Sequence, residues 1–256
     1  MLEHWATARV GRALHLPSGV PTPRLATQPP PPGWLYQFGH RRGAELDHTR
    51  LRWYRDQTWT YRVTARAIVP AILRGWARVT VDGLENVPSS GPVILAANHR
   101  DNLDPYLLFV LLSRPVHVAA RPDGFGTGAL CALWRRLGAF PADAWGVRHA
   151  VSLLAHGGVV AMFPQAMTSR ELGQAKGATG VVALRSGAPV VPVAITGTDT
   201  VHATRLLSGR ARIAVRFGRP VRFVRAAGAP RSRVAADEIL QLIGALLSEA
   251  AADLPT

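Results

Sequence analysis

The sequence predicts an α/β domain in which a mixed, mostly parallel β-sheet is flanked by helices. Short apolar runs of strand length recur along the chain, and helical stretches alternate with them. The run Val93–Ala97 stops abruptly at Asn98, His99, Arg100, Asp101 and Asn102, and an apolar helical run, Tyr106–Leu112, follows. The 256 residues suffice for one sizeable core, alone or with an appendage. In such a domain chemistry gathers where strands leave the core at their carboxyl ends. His99 lies at one such exit.

Residues 1–45 read as a flexible N-terminal arm, because Pro21, Pro23 and the run Pro29–Pro32 favour extended, unpaired backbone. Residues 46–78 read as an amphipathic helical segment broken near Pro70. At about 100° per residue, Arg52, Arg55, Arg62 and Arg66 share one stripe, and Tyr54, Tyr61, Ala65, Ile68 and Ile72 the opposite one. This pattern fits a surface helix packed on the core. It also fits a helix at a membrane interface, with arginines on lipid phosphates and Trp53, Trp59 and Trp76 at headgroup depth.

Residues 79–256 carry the α/β pattern. An alternating strand opens at Val79, meets an Asp82-Gly83 turn and leads to the Val93 strand. Val116–Ala120 is the next strand. Gly124, Gly126 and Ala129 formally fit Gly-x-Gly-x-x-Ala, but Arg121-Pro122-Asp123 separates them from the strand, so these glycines read as a loop over a site. A helix from Ala129 leads to Gly138-Ala139-Phe140-Pro141. Gly157–Phe163 is a strand that runs into Pro164. A helix ends at Ser186-Gly187, and Ala188–Gly197 is an apolar strand whose internal proline implies an edge or irregular position. Arg212–Phe217 alternates as a half-buried strand. The helix Arg233–Ala251 places Ile239, Leu240, Ile243, Leu246 and Leu247 on one side.

Composition narrows the partners. The formal net charge is +14, and Lys176 is the only lysine, so the charge is almost all arginine. Such a chain suits anionic partners: nucleic acid, an anionic membrane surface or phosphorylated ligands. The single cysteine, Cys131, excludes an internal disulfide and reads as a small buried hydrophobe. No apolar run approaches the roughly 20 residues of a membrane-spanning helix, and no secretory signal is evident. These observations lead us to expect an intracellular protein.

His99 and Asp104 have the chemistry of a base and its orienter. A neutral imidazole takes a proton from a hydroxyl, and a carboxylate on its other nitrogen fixes the tautomer and stabilises the imidazolium. Asp104-Pro105 also fits a plain helix start, with Asp104 as N-cap and Pro105 at N1.

Asn98-His99-x-x-x-x-Asp104 resembles the first signature block of the glycerolipid acyltransferases, the 1-acylglycerol-3-phosphate acyltransferase family. The resemblance implies a glycerol-3-phosphate acyltransferase-like fold. It implies His99 as general base and Asp104 as its orienter, with acyl-CoA or acyl-carrier protein as co-substrate and no metal. Gly138–Pro141 with Asp143 resembles the second block, where Ala144 stands in place of an arginine and Arg148 follows four residues on. Gly157–Pro164 resembles the third block. There the family continues with Glu-Gly-Thr-Arg-Ser, whereas this chain has Gln165-Ala166-Met167-Thr168-Ser169-Arg170. Ala175–Ala178 and Ala188–Gly197 resemble the stretch that follows and the fourth block.

The expected function is acyl transfer to a hydroxyl of a lysophospholipid-like acceptor in phospholipid biosynthesis, on the cytoplasmic face of an anionic membrane. Asn98, Arg148, Gln165, Thr168, Ser169, Arg170 and Lys176 are the candidate substrate-binding residues. The alternatives are a catalytically altered, lipid-binding relative, for which Gln165 and Thr168 speak, and a basic nucleic-acid-binding protein, for which charge alone speaks. No nucleic acid partner is expected, because no such motif is present. A serine hydrolase is disfavoured by the lack of Gly-x-Ser-x-Gly.

Overall fold

The computed structural model describes Val63, Ala67 and residues 77–121, 137–165, 168–169, 171–200, 211–223 and 232–252. The Pro-rich arm, the glycine loop at 124–129 and Cys131 lie outside these residues, as does the amphipathic segment apart from Val63, Ala67 and its last two positions.

The described chain forms β1 (Ala77–Asp82), β2 (Val93–Ala97), α1 (Asp104–Leu111), β3 (Val116–Ala120), β4 (Phe140–Pro141), α2 (Ala144–Ala155), β5 (Val159–Met162), α3 (Ala178–Ser186), β6 (Val190–Thr196), β7 (Ala211–Phe217) and α4 (Ser232–Ala252). The strands make one mixed sheet in the order β1-β7-β6-β2-β5-β3-β4. From β6 to β4 every neighbour pair is parallel, β6 and β7 are antiparallel, and β1 is parallel to β7. β2 through β6 therefore point the same way, and their carboxyl ends share one edge.

β2 sits in the middle of the seven-stranded sheet, and its sequence says why. All five residues, Val-Ile-Leu-Ala-Ala, are apolar and 0% exposed, as a strand covered on both faces requires. Val93, Leu95 and Ala97 face the layer that holds Leu107, Leu108 and Phe109 of α1. Ile94 and Ala96 face the opposite layer, which holds Ala150 and Leu153 of α2, Val182 and Ala183 of α3, and Ile239 and Ile243 of α4. Full burial of each large aliphatic side chain contributes roughly 1.5–3 kcal/mol. The strand that carries His99 is thus anchored from both sides.

Two features depart from the sequence expectation. The proline-bearing strand β6 is central, not an edge, since it pairs with β2 and β7. Pro192 is tolerated because of its side of the strand. The Pro189 and Val193 carbonyls accept from β2 and its exit, whereas the Pro192 carbonyl accepts from Gly218 on the other side. There the β7 ladder has already ended at Val193–Phe217, so the missing N–H faces a turn. Asp104 is also not an N-cap: Leu103 holds that position, and Asp104 is the first residue of α1.

Candidate active site

β2 ends at Ala97, and the next residue secures the exit. Asn98 is buried, and its amide donates to the Ile195 carbonyl at 2.8 Å while accepting from the Ile195 N–H at 2.7 Å. Both ends of this side chain are occupied by the backbone of β6. Asn98 thus holds the loop.

His99 follows, with its peptide held by the segment after β5. Its N–H donates to Oε1 of Gln165 at 3.3 Å, and its carbonyl accepts from the Ser169 N–H at 2.8 Å. Its ring stacks on Phe163, with centroids 4.3 Å apart and planes at 28°. Nδ1 lies 3.0 Å from Oδ2 of Asp104. That contact places the proton on Nδ1 and leaves Nε2 as the basic nitrogen. The side chain is 16% exposed, open enough to meet a ligand, while that of Asp104 is 0% exposed.

Asp104 turns back from its helix toward this loop. Besides Nδ1 of His99, its Oδ2 accepts from the N–H of Arg100 at 2.6 Å and of Asp101 at 2.9 Å. Its position in the first turn of α1 adds the favourable field of a helix N-terminus. Charge-assisted bonds of this kind are short and strong. The carboxylate therefore fixes both the ring and the backbone of the turn that presents it. A plain helix start does not account for this arrangement.

Gln165 is buried, and its amide works at both ends. Oε1 takes the His99 N–H, and Nε2 donates to the Glu171 carbonyl at 2.8 Å. Ser169 is exposed; its N–H meets His99, and its Oγ accepts from the Glu171 N–H at 3.2 Å. Thr168 is exposed beside it. Arg170 and Ala166 lie outside the described residues.

The other two candidate cations, Arg148 and Lys176, are both exposed. Arg148 is exposed on the second turn of α2. That helix starts at the same sheet edge, capped by Asp143, which accepts from the Gly146 N–H at 2.8 Å. The acidic residue of the second block is therefore used as a helix cap. Lys176 is exposed, and its N–H donates to the Pro164 carbonyl at 2.7 Å just ahead of α3.

Three participants escaped the sequence reading. Phe163 was visible only as a strand end, although it supplies the face on which His99 lies. Glu171 enters through backbone groups alone, which sequence does not reveal. Arg100 was in plain view inside the first block. Its side chain is 24% exposed and reaches across to Asp199, after β6, with 3.9 Å between NH1 and Oδ1.

Comparison with known proteins points to acyltransferases. Residues 78–196 match the family model described as Acyltransferase. The chain is 28% identical over 137 residues to the chloroplastic 1-acyl-sn-glycerol-3-phosphate acyltransferase LPAT1 of Arabidopsis thaliana, covering 50% of this chain and 38% of that protein. It is 28% identical over 137 residues to the chloroplastic 1-acyl-sn-glycerol-3-phosphate acyltransferase BAT2 of Brassica napus, covering 50% and 40%. The match thus spans well under half the length of these curated relatives. The crystal structure of the 1-acyl-sn-glycerophosphate (LPA) acyltransferase PlsC from Thermotoga maritima shares the fold. It superposes with a TM-score of 0.55 at 20% identity over 82% of this chain and 84% of that one.

Proposed function

We propose that the chain, whose residues 78–196 match the acyltransferase family model, is of the 1-acylglycerol-3-phosphate acyltransferase-like kind and transfers a fatty acyl group from a thioester to a lipid hydroxyl. The observation that carries this reading is the buried Asp104 carboxylate 3.0 Å from Nδ1 of a partly exposed His99 at the carboxyl end of β2.

The reaction follows from that pair. Nε2 of His99 accepts the proton of the acceptor hydroxyl as its oxygen attacks the thioester carbonyl carbon. The C–S bond breaks, an ester C–O bond forms, and the imidazolium returns its proton to the departing thiolate. Asp104 stabilises the imidazolium in between. No covalent acyl-enzyme is required. The donor is acyl-CoA or acyl-carrier protein, and the acceptor is a lysophospholipid-like molecule.

The place of action is a membrane surface. The +14 net charge favours an anionic bilayer, and among the described residues no helix is long and apolar enough to cross one. We read the protein as peripheral on the cytoplasmic face.

The test is ester product formed from palmitoyl-CoA on anionic liposomes with lysophosphatidate, lysophosphatidylcholine and lyso-aminolipid acceptors. The reading expects product with at least one of them, and a loss of about 10²–10⁴-fold in His99→Ala. Liposome binding with no product from either acyl-CoA or acyl-carrier-protein donors would instead identify a lipid-binding relative.

A further inference from the structure

We propose that Arg100 is the residue that reads the acceptor's headgroup, as the guanidinium that binds its phosphate. This inference rests on the acyl-transfer reading above and names the acceptor class for that same site.

The state of the side chain is the first argument. The guanidinium offers five N–H donors in a fixed fork. Among the described residues none of them has an acceptor within hydrogen-bond distance. Nε is buried without a partner, and the one acidic neighbour, Asp199, stands at 3.9 Å. Two other arginines of the described chain are held by backbone carbonyls. Arg114, at the opposite sheet edge, donates to the carbonyls of Pro88, Gly91 and Gly157. Arg222 donates to the carbonyl of Gly187 at 3.0 Å. A half-buried guanidinium with unused donors calls for an occupant. Its forked geometry matches a phosphate, which can take two of those donors at once.

Its placement is the second argument. The Arg100 N–H is pinned to the same Asp104 oxygen that orients His99, so base and guanidinium are set by one carboxylate. From the end of β2 the two side chains part. His99 leans on Phe163, which follows β5, and Arg100 reaches Asp199, which follows β6. β5 and β6 are the two neighbours of β2, each about 4.8 Å away. The two lean to opposite sides of β2, so the gap between them is about 9.6 Å, which a hydroxyl and a phosphate joined by a short carbon bridge span once a hydrogen bond of about 3 Å is added at each end. Lysophosphatidate has this arrangement.

The third argument is local charge. The family's third-block arginine is replaced here by the uncharged, exposed Thr168. Arg121, Arg148 and Lys176, three other described cations at this edge, are all exposed. Arg100 alone among these four is partly withdrawn from water, where an ion pair is screened least. Asp199 serves as a loose counter-ion that the phosphate displaces.

The experiment measures initial rates for wild type, Arg100→Gln and Arg100→Lys, with lysophosphatidate and with monoacylglycerol, which keeps the hydroxyl and lacks the phosphate. Arg100→Gln is expected to raise KM for lysophosphatidate by about 10–100-fold, leave KM for palmitoyl-CoA within about twofold, and erase the preference over monoacylglycerol. Arg100→Lys should recover part of the loss. An unchanged acceptor KM overturns the proposal, and so does a rise confined to palmitoyl-CoA, which would assign Arg100 to the donor's phosphates. A calorimetric dissociation constant for lysophosphatidate, measured on the His99→Ala background with and without Arg100→Gln, separates this inference from the reaction itself. Weaker binding in the double variant supports Arg100 even if no turnover is found, and equal binding contradicts it.

Discussion

Gln165 shows how far a single residue can be understood only once its neighbours are known. The family resemblance leads one to expect a glutamate there, and sequence alone makes the amide look like a lost charge. In the fold it accepts from the His99 N–H and donates to the Glu171 carbonyl, so it ties the loop of the base to the segment after β5. A carboxylate keeps the first bond but turns an oxygen toward the Glu171 carbonyl. Gln165→Glu should therefore destabilise the protein by roughly 1–3 kcal/mol and lower turnover, as read from the urea midpoint and kcat. The His99–Asp104 pair, by contrast, was legible, because a five-residue spacing across a strand exit is a local property. A residue whose partners lie 66 positions away has no such signature. His117 makes a second prediction at this scale. Burial, with the charge of His149 adding, lowers its imidazole from the ordinary 6.5 to about 4, and a backbone hydrogen bond with Gly138 works the other way. The unfolded chain thus binds a proton between these values that the folded chain refuses. Stability is full above pH 6.5 and falls as the pH drops toward 4, by up to roughly 3 kcal/mol from this group. His117→Leu should shrink the difference between urea midpoints measured at pH 7 and at pH 4.5.

The elements explain why the site keeps its shape. α3 and α4 meet through Gly180, where an added Cβ would lie 1.9 Å from the Ser232 carbonyl oxygen. The backbones approach this closely only because no side chain intervenes. Gly180→Ala should force the helices apart and cost about 1–3 kcal/mol, seen as a lower Tm with turnover retained at low temperature. Strands and helices were legible from period and length, and β2 and β3 agree with their apolar runs residue for residue. The end of α3 was legible too, since Gly187 takes the left-handed conformation, φ 61°, that stops a helix. The place of β6 was not. A proline argues for an edge, but only the partner strands decide which N–H groups are needed, and near Pro192 β7 has turned away. The role of Asp143 was not legible either, because a cap and a site carboxylate look alike in one dimension.

At the scale of the molecule, five strands running the same way bring the segments after β2, β3, β4, β5 and β6 to one edge. That convergence brings His99, Asp104, Phe163, Gln165, Ser169 and Asp199 together from across a hundred residues of chain. Charge acts at the same scale. On the proposed reading the net +14, almost wholly arginine, favours anionic bilayers, and binding should weaken steeply with salt. Co-sedimentation with phosphatidylglycerol vesicles at rising ionic strength checks this, and salt-independent binding would contradict it. The central claim is that the His99–Asp104 pair drives acyl transfer to a lipid hydroxyl. The measurement that tests it most directly is free thiol released from palmitoyl-CoA on anionic liposomes, with and without lysophosphatidate, for wild type beside His99→Ala. The account predicts acceptor-dependent release in the wild type, reduced about 10²–10⁴-fold in a variant that melts at the same temperature. Equal release by the two proteins would contradict it.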